Sequence, residues 1–200
     1  MARQHTAGVD HRRTDTRERI LAVALRMFST RGYTATSLQE LADELGVTKA
    51  ALYFHFKNKE DILAGIMLGN LGSLNAMIDE AAQYASTPTG REEFLRRVAD
   101  HLAAQGPHLF RLMRENFSGI GNLGLEDEIR RTQRRLLDTL AGPNPTLLDK
   151  ARARTAFAGL QATALTAEWE EADEDELRAA ALTVALEVLR GGSETRNHPA

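Results

Sequence analysis

The sequence predicts an all-α protein, and three observations predict it. Apolar residues recur at three- and four-residue spacing along most of the chain, and no stretch gives a convincing series of alternating strands. Proline is scarce, five in 200 residues, while Ala, Leu, Arg and Glu are abundant, a composition that favours helices. Between Thr36 and Asp61 two short helical patterns meet at a glycine, which makes a helix-turn-helix candidate.

The elements follow in order. Met1 to Arg13 has no hydrophobic periodicity and reads as a flexible arm. It is either a solvated tail or, through Arg3, Arg12 and Arg13, a basic arm able to enter a minor groove. A helix is expected from about Asp15, with Ile20, Leu21, Ala24 and Phe28 on one side and Gly32 as its stop. Phe28 and Tyr33 read as packing residues. Leu38, Leu41, Ala42 and Leu45 then form the stripe of a short helix opened by a Ser37/Glu40 capping box and closed by Gly46. Thr48 caps a second short helix that turns Leu52 and Phe56 inward.

Asn58 is the expected N-cap of a helix running to about Tyr84, with Gly65, Gly69 and Gly72 inside it. Those glycines mark either a soft connector or close helix packing. Ser86 to Gly90 reads as a loop, Arg91 to Gln105 as a helix broken by Gly106-Pro107, and a shorter helix as carrying Phe110, Met113 and Phe117. Ser118 to Gly124 is Gly-rich and loop-like. Helices follow over Glu126 to Leu140, about Thr146 to Glu171 and about Asp175 to Arg190, with a frayed tail after them. In the last helix Leu177, Ala181, Val184 and Val188 form one stripe. Ala180, Leu182, Ala185, Leu186 and Leu189 widen it beyond the needs of one neighbour, so a partner subunit is expected.

Charge bounds the function. The net charge of −3 argues against a protein that coats nucleic acid generally. Residues 1–60 hold ten Lys/Arg against seven Asp/Glu, and the remainder fifteen against twenty-one: a basic head on an acidic body. No carboxylate interrupts Gly46 to Lys59, where Lys49, Tyr53, His55, Lys57 and Lys59 supply cations and polar tips suited to phosphates and base edges. There is no cysteine, which excludes disulfides and thiolate zinc sites. No apolar run approaches the ~18 residues of a membrane span, and the polar N-terminus has no signal core, so a cytoplasmic protein without a membrane partner is expected. No paired carboxylates, nucleophile–base set or phosphate loop stands out, so an enzyme has no visible machinery here.

The stretch from Arg17 to Leu63 resembles the DNA-binding domain of TetR-type transcriptional regulators. The resemblance rests on Phe28 with Gly32-Tyr33, Leu41-Ala42 with Gly46-Val47, Leu52-Tyr53-Phe54-His55-Phe56, and Lys59-Glu60. It covers about a quarter of the chain. It implies a helix-turn-helix DNA-binding domain over residues 14–60, and a helical effector-binding and dimerisation domain over 61–192, flanked by an arm (1–13) and a tail (193–200). It implies a homodimer joined through the last two helices, a double-stranded operator and a small-molecule effector, with no cofactor or metal.

Carried onto this sequence, the DNA contacts are Thr36, Thr48, Lys49, Tyr53, His55 and Lys59. Thr36 and Lys59 are expected as phosphate clamps, and Lys49 as the base-edge contact. Ala50 and Ala51 are small at that surface, which leaves base readout thin. The effector pocket is expected among Leu71, Phe94, Val98, Phe110, Met113, Phe117, Phe157, Gln161 and Leu165, residues that serve equally as ordinary core. His101, His108 and Trp169 are further polar or aromatic candidates there, and the acidic run Glu168 to Glu176 reads as a solvated turn. The rivals are a helical small-molecule-binding protein with no transcriptional role and an all-α enzyme. Salt-dependent, sequence-selective DNA binding discriminates against both.

Overall fold

The computed structural model describes residues 7–115, 123–166 and 173–191, and every regular element among them is a helix. In chain order these are α1 (Ala7–Arg31), α2 (Leu38–Leu45), α3 (Lys49–His55), α4 (Lys59–Ala81), α5 (Pro88–Glu115), α6 (Glu126–Ala141), α7 (Leu147–Thr166) and α8 (Glu174–Arg190). They divide into two compact units, Met1–Gly69 with Arg111–Leu123, and Asn70–Phe110 with Gly124–Ala200. The division falls at 69/70 and not at the expected 60/61, because the first turns of α4 supply core side chains to the first unit.

In that unit the apolar faces of α1 to α4 bury Ile20, Ala24, Met27, Phe28, Leu41, Ala42, Leu52, Phe56, Ile62 and Leu63. Phe28 meets the edge of Tyr33 with ring centroids 5.0 Å apart and an interplanar angle of 80°, a favoured aromatic geometry. The helix α1 begins at Ala7, earlier than the Asp15 start expected from its apolar pattern. Of the expected arm, residues 1–6 lie outside the described residues. Gly65 sits where an added Cβ would come within 2.9 Å of the Leu21 side chain and 3.3 Å of the Phe56 ring, so close packing accounts for it. Gly69 and Gly72 have no such neighbour.

The helix α4 corrects one expectation. An 18-residue window within it reaches a mean hydropathy of 1.3, enough by length and composition to cross a membrane. Its buried residues Ile62, Leu63, Ile66, Met67, Leu71 and Ile78 give that hydropathy an ordinary origin in core packing.

In the second unit one core gathers Ile78, Phe94, Leu95, Val98, Leu136, Leu140, Ala153, Ala156, Phe157, Leu160, Ala185 and Leu186. Two expectations fail on α5. It starts at Pro88, inside the expected loop, because Thr87 caps it by accepting the Gly90 N–H at 3.0 Å; proline at the first helical position loses no bond a helix would make. It also runs unbroken through Gly106-Pro107. An interior proline costs about 3 kcal/mol, while each large apolar side chain contributes about 1.5–3 kcal/mol on full burial. Phe94, Leu95 and Val98 before the proline, and Leu109 and Leu112 after it, are all buried, so burial outweighs the break.

Polar ties fasten the same unit. Asn75 on α4 donates to Thr132 on α6 at 2.9 Å, and Arg135 bonds both Asn75 and Asp79. Arg190 near the end of α8 donates to Glu92 on α5 at 2.6 Å, which holds that carboxyl below its usual range. Thr146 and Asp149 form a reciprocal cap on α7, and Asp173 accepts the Asp175 and Glu176 N–H groups at the start of α8.

The last helix is sorted differently from the expected stripe. Ala185 and Leu186 are buried, while Val184 is 58% exposed. Ala181, Leu182, Val188 and Leu189 pack against the core from partly buried positions and Leu177 is half-buried, so of these apolar residues only Ala180 and Val184 face outward. The segment 168–172, most of the acidic run, lies outside the described residues with Trp169; Asp173 to Glu176 are exposed.

His101 on α5 is half-buried, and its Nε2 lies 2.9 Å from Asn70 Oδ1. Desolvation pushes its pKa below the ordinary 6.5. The folded state thus favours the neutral ring, and the unfolded chain binds the proton first as pH falls. Its contribution to stability is complete above pH 6.5 and is lost as pH drops through the folded-state value. Thermal melts of the native protein are expected to weaken over that window, and His101→Gln should flatten the dependence there.

Candidate nucleic-acid interface

The helix-turn-helix is built by local chemistry. Ser37 Oγ accepts the Glu40 N–H at 3.2 Å while Glu40 Oε2 accepts the Ser37 N–H at 2.8 Å, completing the expected capping box on α2. Gly46 ends the helix in the left-handed region at φ +67°. There the Gly46 N–H donates to Asp43 and the Val47 N–H to Ala42, the paired bonds of a glycine-closed helix end. Thr48 then caps α3 by accepting the Ala51 N–H at 3.1 Å. Leu52, fully buried, pins α3 to the core.

The expected contact residues separate into two groups. Thr48, Lys49 and Tyr53 are exposed on or beside α3, with the Lys49 ammonium 6.0 Å from the centre of the Tyr53 ring. His55 is half-buried, its ring edge-to-face with Phe54 at 5.4 Å. Lys57, also exposed, adds a cation directly after the helix. By helical register Lys49 and Tyr53 lie on one flank of α3 and His55 on the other.

Thr36 and Lys59 do not behave as expected. The Thr36 side chain is buried, and its hydroxyl donates to the Gly32 carbonyl at 2.9 Å, which withdraws it from any phosphate. Lys59 Nζ donates to the Tyr33 carbonyl at 2.6 Å and the Thr36 carbonyl at 2.9 Å, and lies 4.3 Å from the Tyr33 ring centre. Its ammonium closes the connection between α1 and α2, committing two of its three donors. The Tyr33 hydroxyl donates to Glu60 at 3.2 Å; burial, then the Glu60 charge, raise its pKa above the ordinary phenol value.

Free N–H groups at the start of α4 would suit a phosphate. Asn58 does cap it, accepting the Asp61 N–H at 2.7 Å, but Asp61 also accepts the Lys57 N–H at 3.0 Å. A carboxylate therefore already stands at that helix end. Sequence reasoning passed over Phe54, which is 67% exposed on α3. The signal was available: it lies two residues from the inward Leu52, hence on the opposite side of the helix.

The sequence model of the family described as bacterial regulatory proteins, tetR family, matches residues 20–66, the stretch that holds this motif. The N-terminal domain is a TetR-family domain. The HTH-type transcriptional regulator AcrR of Shigella flexneri is 38% identical over 91 residues, 44% of this chain and 40% of its own length. The HTH-type transcriptional repressor KstR2 of Mycolicibacterium smegmatis is 32% identical over 72 residues, 36% of this chain and 35% of its own. The chain thus spans well under half the length of these relatives. In fold the likeness to TetR proteins extends further. A TetR-family transcriptional regulator from Marinobacter aquaeolei superposes with a TM-score of 0.68 at 20% identity, covering 88% of this chain and 90% of that one.

The expected effector pocket of a TetR-type protein fares unevenly. Phe94, Val98 and Phe157 are members of the close-packed core of the second unit, Leu71 is buried, and Gln161 is half-buried. Phe110 and Met113 lie on α5 and Leu165 on α7, with side chains outside the described residues; Phe117 lies outside them altogether, as does the side chain of His108.

Proposed function

We propose that the protein is a cytoplasmic, dimeric, ligand-responsive transcriptional regulator, a repressor in its default action. It binds a near-palindromic operator by placing α3 of each subunit in a major groove. The observation that carries the reading is the outer surface of α3 in a TetR-family domain: exposed Lys49, Tyr53 and Lys57, with no carboxylate between Gly46 and Lys59. Lys49, Lys57 and the hydroxyls of Thr48 and Tyr53 hold phosphates and fix the register of the helix. Capping uses only a lone pair of Thr48, so its O–H can still donate.

The exposed apolar side chains Ala180 and Val184 on α8 support pairing of two subunits through the last two helices. A two-fold pair presents its α3 helices one turn of DNA apart, about 34–36 Å, or a multiple of it. A small, largely apolar effector held among the apolar side chains of the second unit favours a spacing of the heads that no longer fits the operator. Its differential affinity for the two states sets how far the population moves.

Selection of duplexes from a randomised pool by the full-length protein tests this. Enrichment of a two-fold-symmetric sequence, bound with an affinity that falls steeply with salt, is expected. Enrichment of nothing, or an affinity indifferent to salt, would reject it.

A further inference from the structure

The register of α3 sorts its residues about the buried Leu52, each step turning by about 100°. Lys49 and His55, three positions away on either side, stand nearest the buried face. Ala51 and Tyr53 occupy the flanks. Ala50 and Phe54, two positions away, stand opposite Leu52, and both are exposed. The ridge of α3 farthest from the core is therefore apolar, a methyl and a phenyl ring four residues apart, and the nearest cations are Lys49, closer to the core, and Lys57, past the end of the helix.

A single exposed apolar side chain is ordinary on a protein surface. Here the position gives it consequence, because this ridge is the part of α3 that reaches deepest if the helix enters a groove. Alanine and phenylalanine carry no side-chain donor or acceptor, so they cannot read hydrogen-bonding groups. The apolar feature of a base pair in the major groove is the thymine C5 methyl.

We infer that α3 reads thymine methyl groups. Resting on the reading of α3 as the groove-entering helix, Ala50 and Phe54 pack against the C5 methyls of one or two thymines in each half-site. Lys49 and Lys57 bind neighbouring phosphates. Base discrimination thus passes from Lys49, where a guanine contact was expected, to an apolar pair. The charge around the ridge commits this surface to duplex DNA: the nearest flanking cations have no intervening carboxylate to repel phosphates.

The test uses the full-length protein and the duplex it selects from a randomised pool, resynthesised with deoxyuridine replacing one thymine at a time. Uracil keeps every hydrogen-bonding group and every phosphate and lacks only the methyl. At one or two positions per half-site, affinity should fall about fourfold, and about fifteenfold when both half-sites are changed, the scale of one buried methyl each. The salt slope should stay constant, since no phosphate contact is lost. Phe54→Ala, exposed and so expected to melt like the parent, should bind without discriminating thymine from uracil at its position, closing a double-mutant cycle.

Uracil tolerated at every position would overturn the inference while leaving operator binding intact. So would Phe54→Ala that retains full discrimination, or a selected half-site without thymine. A selection that enriches no sequence overturns the parent reading as well, and so is told apart from the other outcomes.

Discussion

Phe28→Ala is expected to unfold the N-terminal unit at temperatures where the second unit remains helical. Phe28 is fully buried and packs edge-on against Tyr33. Truncating a buried phenyl ring costs about 3–5 kcal/mol, the sum of lost transfer energy and the cavity left behind. Domains of this size have little more than that in total. The loss should appear as a new low-temperature transition in calorimetry, with helical content falling by roughly the share of α1 to α3. Operator binding should vanish with it. Phe28→Leu, which keeps most of the volume, should restore much of both. A single unshifted melt in Phe28→Ala would show that this ring does not hold the unit together.

The fold was most legible where the chemistry is local. Ser37 and Glu40 are three residues apart, so the sequence alone contains both halves of the cap, and Gly46 names its own left-handed turn. Apolar periodicity likewise placed α6, expected over Glu126 to Leu140, close to its observed span. Sequence reasoning failed on α5 because a proline signal was weighed without the burial that opposes it, and because Thr87-Pro88 was read as loop when it is a cap followed by a first helical residue.

At the candidate site the helix-turn-helix itself was legible, while the roles expected of Thr36 and Lys59 meet internal bonds, for a different reason. Thr36 and Lys59 stand at positions that suggest phosphate contacts, yet both bond backbone carbonyls, Thr36 that of Gly32 four residues back. Lys59 meets backbone 26 and 23 residues away in the chain, and periodicity carries no record of such a contact. Phe54 was missed through attention to polar tips, although the spacing from Leu52 placed it outward. In α8 the stripe was found, and Ala181 and Val188 within it pack on the core while Val184 faces outward. On a helix apolar over so wide an arc, only the position of the remaining core distinguishes the inner residues from the outer.

Lys59→Met is expected to weaken the N-terminal unit by about 2–3 kcal/mol, the scale of a charged hydrogen-bonded group lost from partly buried carbonyls. The methionine keeps most of the stem, so packing against Tyr33 survives while both donors to Tyr33 and Thr36 vanish. The melting temperature of that unit should fall. Affinity should drop on all duplexes alike, through the smaller population of the folded head. The salt slope discriminates this account from a phosphate clamp: a lost phosphate contact lowers it by ~0.9, whereas loss of an internal tie leaves it unchanged. Lys49→Ala, whose ammonium is exposed and meets only the exposed Tyr53 ring among the described contacts, should behave oppositely, with an unaltered melt and a slope reduced by ~0.9. If Lys59→Met instead melts like the parent and flattens the salt dependence, its ammonium reaches DNA and the bonds to Tyr33 and Thr36 are secondary.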